Sequence, residues 1–199
     1  MLALSIPLWL WWAAGISVLL MGTVFLVRWA TTDHLIAHTF RSAAEGDFEA
    51  AAARLQAAAE KNDPRGQRCE ALGFLYFQRN RWNEAADAFA RAAQRNPTRL
   101  TARIYQAHSL TRAGRVDEGR ELLQAMSQER PEDIMPLCGM ALAMVDIGDT
   151  GAAAEYYWKA RRLFEQHPSV QSHEAVGLLE AAADAVGNAT VASAKPSEP

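Results

Sequence analysis

Two histidines four residues apart, His34 and His38, are the first side chains in this 199-residue sequence that could do chemistry. On a helix that spacing turns both imidazoles to one side, as a metal ion would require. A site needs further ligands, and the nearest acids, Asp33 and Glu45, lack the spacing of metal sites. An ordinary helix face explains the pair. Cys69 and Cys138 lie far apart at apolar helical positions, the pattern of buried free thiols and not of a disulfide framework. Asn188-Ala189-Thr190 has the form of a glycosylation acceptor, a motif too short to carry weight without a secretory context. The sequence holds no phosphate-cradling glycine loop, no nucleophile elbow and no paired-Cys motif. No catalytic residue, cofactor or metal ligand is therefore expected, and the chain reads as a non-enzyme.

Charge is unevenly placed although its net value is only -3. Residues 65–120 carry eleven arginines against five acids, and residues 121–199 carry five bases against twelve acids. Arg91, Arg95, Arg99 and Arg103 are the candidates for an anionic ligand, but stacking aromatics are not interleaved with them. A solvated basic face is the expectation, and nucleic acid is not expected as a partner. An acidic protein, or the acidic end of a second copy, fits the asymmetry better.

The elements that must position these residues begin with an apolar run. Leu2 to Val27 holds 26 residues without a charge, more than the roughly 20 that cross a hydrocarbon core. No Lys or Arg precedes Arg28, and Arg28-Trp29-Ala30 is a poor cleavage site, so a retained anchor over residues 1–30 is expected in preference to a signal peptide. From Trp12 to Trp29 a helix rises roughly 26 Å, which sets indoles at both interfaces. Arg28 and Arg41 follow the span, and that bias places the remaining chain on the cytoplasmic side of the membrane, with the periplasmic side as the alternative.

Beyond Trp29 no strand-type alternation occurs, and Ala, Leu, Arg and Glu dominate, so the remainder should be all helical. Pro97 and Pro131 are 34 residues apart, and Pro64 lies 33 before Pro97. In one such period Leu72, Gly73 and Tyr76 fall on a first helix and Ala85, Phe89 and Ala92 on a second, with Pro97 ending it. On these residues the chain resembles the tetratricopeptide-repeat family. Small Gly73, Ala85 and Ala92 fit where helices cross, while Tyr76 and Phe89 fill the gaps. The resemblance implies an all-α right-handed solenoid of about four repeats, near 32–65, 66–99, 100–133 and 134–167, within a domain of residues 31–187. A capping helix is expected over 169–187 and a disordered tail over 188–199.

The resemblance also implies where a partner would bind, the concave face lined by the first helix of each repeat. Carried onto this sequence, those places are Ile36 and Phe40, then Glu70, Phe74 and Phe77, then Ile104, His108 and Arg112, then Met135 and Leu142. Gln78, Cys138 and Val145 belong to the same set. Family members that clamp a chaperone's C-terminal carboxylate use Lys, Asn and Arg there, so that function does not carry over to Ile36, Phe40, Glu70 and Phe74. A groove this rich in Phe, Ile, Leu and Met calls for a cover. Either an apolar or amphipathic segment of a partner protein docks in it, or the side chains pack against neighbouring repeats and the C-terminal helix. The expected function is a membrane-anchored adaptor or assembly factor, of the kind that serves the bacterial inner membrane. The alternative is a self-assembling scaffold in which copies form a homo-oligomer through groove and charge asymmetry.

Overall fold

The computed structural model describes residues 34–168 and 171–194, and among them the chain is helical without a strand. The stretch from Leu2 to Val27, and with it the expected anchor, lies outside the described residues. Among the described residues no helix is long and apolar enough to cross a membrane. The helices are α1, described over 34–44, α2 (Phe48–Lys61), α3 (Gln67–Gln78), α4 (Trp82–Arg95), α5 (Leu100–Arg112), α6 (Val116–Glu129), α7 (Met135–Asp146), α8 (Thr150–Gln166) and α9 (His173–Ala194). They form four helix-turn-helix hairpins followed by α9.

The second helices of the hairpins start at Phe48, Trp82, Val116 and Thr150, 34 residues apart each time. The turns explain this regularity. Gly46, Asn80, Gly114 and Gly148 all adopt positive φ, at 111°, 58°, 83° and 79°. At each turn the next amide bonds back across it: Asp47 to the Ser42 carbonyl at 3.1 Å, Arg81 to Tyr76 at 3.0 Å, Arg115 to Leu110 at 2.9 Å and Asp149 to Met144 at 3.0 Å. This is the Schellman closure, which satisfies otherwise orphaned carbonyls and needs a residue that tolerates the left-handed region, glycine or asparagine. A Cβ on Gly114 would meet nothing within 4 Å, so only the backbone resists it. Gly114→Ala should cost about 1–2 kcal/mol, and Gly114→Asn clearly less, in urea unfolding of the full-length chain.

The chain divides into two compact units, Met1–Leu55 and Gln56–Pro199, and each is described by itself. In the first, α1 buries Thr39 and Ala43, and the start of α2 buries Ala51, Ala52 and Leu55. Thr39 holds the place that Gly73, Ala107 and Ala141 hold at 34-residue steps, all of them small. Its hydroxyl donates to the Leu35 carbonyl at 2.7 Å, so the buried oxygen is satisfied locally.

In the second unit each helix from α4 to α9 packs on the one before it, and α7 also packs on both α5 and α9. The crossings are close. A Cβ on Gly73 would sit 2.7 Å from the Phe89 ring, and one on Gly119 would sit 2.7 Å from the Ala107 carbonyl oxygen. Phe89 is fully buried where the hairpin helices meet. Helix α7 is apolar on every side, burying Met135, Cys138, Met140 and Met144 among others, because it has neighbours all round. Ala175, Leu179 and Ala182 of α9 join Leu100, Ile104, Met135 and Cys138 in one core cluster.

Helix α9 continues to Ala194, beyond residue 187 and into the segment whose composition suggests disorder. Alanine accounts for the difference: Ala189, Ala192 and Ala194 favour the helix, and the Thr190 hydroxyl donates to the Val186 and Gly187 carbonyls at 3.0 and 2.8 Å.

Candidate functional site

Four of the residues placed on the groove by register come together in one cluster. Phe74 meets Tyr105 edge-on with ring centres 4.7 Å apart, and Phe77 meets Tyr105 at 5.7 Å and His108 at 5.4 Å. Phe89 stacks on Tyr105 from below at 5.5 Å. Trp82, the first residue of α4, lies edge-on to Phe77 at 5.0 Å, and the Arg112 guanidinium sits over its face at 5.0 Å. Phe74, Phe77, Tyr105, His108 and Trp82 are half-buried, Arg112 and Gln78 exposed.

One acid organises the polar side of this cluster. Asp146, at the end of α7, bonds to His108 Nε2 through one oxygen and pairs with Arg112 Nη2 at 2.5 Å through the other. Burial works to raise its carboxyl, but His108 and Arg112 together outweigh that and hold it below the ordinary aspartate range. Asp146 and Tyr105 are absent from the groove set read from sequence. A step of 34 residues from Arg112 lands on Asp146, as a step back lands on Gln78, so the period carries the signal. Tyr105 falls outside the groove-lining places, and nothing in the sequence marks it.

The other expected groove residues go elsewhere. Ile104 and Met135 are 3% and 4% exposed, in the core cluster that α9 helps build, and Leu142 packs partly against the same cluster. Cys138 is fully buried. Ile104, Met135 and Cys138 meet neighbouring helices and not solvent, which is the second of the two covers expected for the groove. Ile36 and Phe40 are half-buried within the first unit.

Glu70 is 4% exposed and accepts from Arg99 Nε at 2.9 Å. Burial pushes its carboxyl up, Arg99 counters this only in part, and the charges of Glu174 and Asp63 add to the rise. The folded state therefore holds more protons than the unfolded one just above the ordinary glutamate range, and Glu70 costs stability as pH rises through that window. Asp146 has the opposite sign: its contribution is present above the unfolded aspartate range and is lost as pH falls through the folded value. Glu70→Gln removes the first effect alone. Relative to the parent, the melting temperature of Glu70→Gln should be higher at about pH 7 than at about pH 4. A relative rise toward acid would show that Arg99 outweighs burial.

The basic middle of the chain meets the acidic end within the same molecule. Arg103 pairs with Glu129 at 2.5 Å, Arg112 with Asp146 at 2.5 Å, and the Thr101 hydroxyl donates to Glu174. Arg95 pairs with Asp63 at 3.1 Å. Three of the four arginines considered for an anionic ligand thus already face carboxylates. Both cysteines are buried and free. Burial raises the Cys69 thiol despite Arg95, and burial with the charge of Asp133 pushes Cys138 up to about 12, so neither supplies a thiolate at neutral pH. His34 and His38 are exposed on α1, and among the described residues no group of three His, Cys, Asp or Glu could hold a metal ion.

Serial hairpins closed by identical turns, with small residues at each crossing, define an all-helical repeat fold of the tetratricopeptide kind. Residues 76–145 match the family model of the tetratricopeptide repeat. Seventeen solved chains match the structure. One of them, titled "MamA MSR-1 C2", has 19% sequence identity, covers 66% of this chain and 76% of its own, and superposes with a TM-score of 0.50. At that identity the likeness shows the fold alone. The sequence matches none of the curated proteins.

Proposed function

We propose that the protein is a non-catalytic adaptor that holds a partner polypeptide on the face made by α3, α5 and α7, beside a membrane to which Leu2–Val27 tethers it. The observation that carries this reading is the row of half-buried and exposed side chains that successive repeats leave open there, Phe77, Gln78, His108 and Arg112. Aromatic rings with one polar flank suit an apolar or amphipathic segment whose anchors lie a helical turn apart. A tether raises the local concentration of such a face, so modest contacts suffice. The Arg28 and Arg41 bias puts the repeats on the cytoplasmic side of a bacterial inner membrane in this reading.

A photo-crosslinker in place of Gln78, in the full-length chain in its native membrane, should capture a discrete partner. Gln78→Arg should weaken that capture about 10-fold, roughly 1.4 kcal/mol, with melting unchanged because the side chain is exposed. A crosslinker in place of Trp158, which is 55% exposed on α8, is the control. Adducts from 158 and none from 78 would move the partner off the proposed face.

A further inference from the structure

A cavity of about 790 Å³ opens where the N-terminal ends of α5, α7 and α9 lie side by side. Its wall comes from the successive loops between repeats, so no single repeat contains it. Leu100 and Met135, both buried, give it an apolar base together with Pro131. Its charged groups are Arg99, Arg130, Glu132, Asp133 and Glu174.

The cations among them are already engaged. Arg99 Nε lies 2.8 Å from Glu70, and Arg130 Nη1 lies 4.0 Å from Asp133, whose carboxylate also accepts from the Met135 amide at 2.9 Å. Glu174 accepts from the Thr101 hydroxyl, and neither Glu132 nor Glu174 is paired with a cation among the described residues. With Glu70 behind Arg99, carboxylates outnumber guanidiniums. The field reaches the α5 face as well: burial raises the Tyr105 phenol, and the charges of Glu174 and Glu70 raise it further. The cavity is thus negative although it abuts the arginine-rich stretch of the chain.

We propose that this cavity takes an arginine or lysine side chain of the partner polypeptide. The aliphatic stem lies along Leu100, Pro131 and Met135, and the charged head turns to Glu132 and Glu174. Such a side chain alone combines an apolar stem with a cationic tip, the same two-part character as the lining. The inference rests on the adaptor reading, and names the chemistry that the partner brings to one end of the same face.

The test uses four fluorescein-labelled ten-residue amphipathic peptides that differ only in a central Arg, Lys, Gln or Glu, titrated against the full-length protein in lipid nanodiscs. The Arg and Lys peptides should bind at least about 10-fold tighter than the Gln peptide, and the Glu peptide weaker still. The preference should shrink as salt is raised. Glu132→Gln with Glu174→Gln, which keeps shape and the acceptor for Thr101, should bring the Arg and Gln peptides together. Equal binding of all four peptides, no binding of any, or a preference that survives the double variant would overturn the proposal. If binding without charge preference is lost on Gln78→Arg, the adaptor reading stands while this inference falls. If a charge preference depends on the two glutamates and ignores Gln78→Arg, the reverse holds.

Discussion

Phe89→Ala should cost about 3–5 kcal/mol in urea unfolding of the full-length chain. The ring is fully buried and does three things at once. It fills the space left by Gly73, it meets Phe74 edge-on at 5.0 Å, and it stacks on Tyr105 of the next hairpin at 5.5 Å. Truncation removes the burial of the ring and leaves a void that its neighbours, held by their own helices, fill only in part. Phe89→Leu keeps most of the volume and should lose about 1–2 kcal/mol. A loss below about 1 kcal/mol for the alanine variant would mean that the hairpin junction collapses freely, contrary to the packing described.

Asp63→Ala should cost roughly 2–4 kcal/mol, although the residue lies in a loop. Helix α3 is preceded at its N-cap by Gly66, which has no side chain to cap it, and Asp63 performs that task from outside. Its carboxylate, 3% exposed, accepts from the Arg68 amide at 3.2 Å and the Cys69 amide at 2.9 Å, and pairs with Arg95 at 3.1 Å. Removing it strands buried donors in α3 and uncouples α4 from them. Arg95→Ala leaves both amide bonds in place and should cost only about 1 kcal/mol, since a third of that side chain is exposed to water. Equal losses for the two variants would show that the ion pair matters and the amides do not.

Much of the fold was legible because its period rests on sterics that few residue types satisfy. Gly73, Ala107 and Ala141 are small where helices cross, and glycine or asparagine sits wherever a turn needs positive φ. The site was legible only in part. Register placed Phe74, Phe77, His108 and Arg112 on one face, and the structure joins them. The same register places Glu70, Ile104 and Met135 there too, yet these are buried by groups that register cannot foresee: Arg99 folds over Glu70, and α9 shares its core with Ile104 and Met135. The extension of α9 past residue 187 was missed for a related reason. Small polar composition suggests disorder, whereas alanine within it sustains a helix that is already under way.

The spacing of the helices has a bearing on how such a chain tolerates change. Second helices recur at a fixed interval of 34, but the first helices begin at Gln67, Leu100 and Met135, 33 and then 35 residues apart. All the slack therefore resides in the joints between hairpins. A residue gained within a hairpin bend must break the bond that closes it, while one gained at a joint merely lengthens a strap. Drift in length should collect at the joints, where neighbouring hairpins can be reseated against each other without rebuilding either.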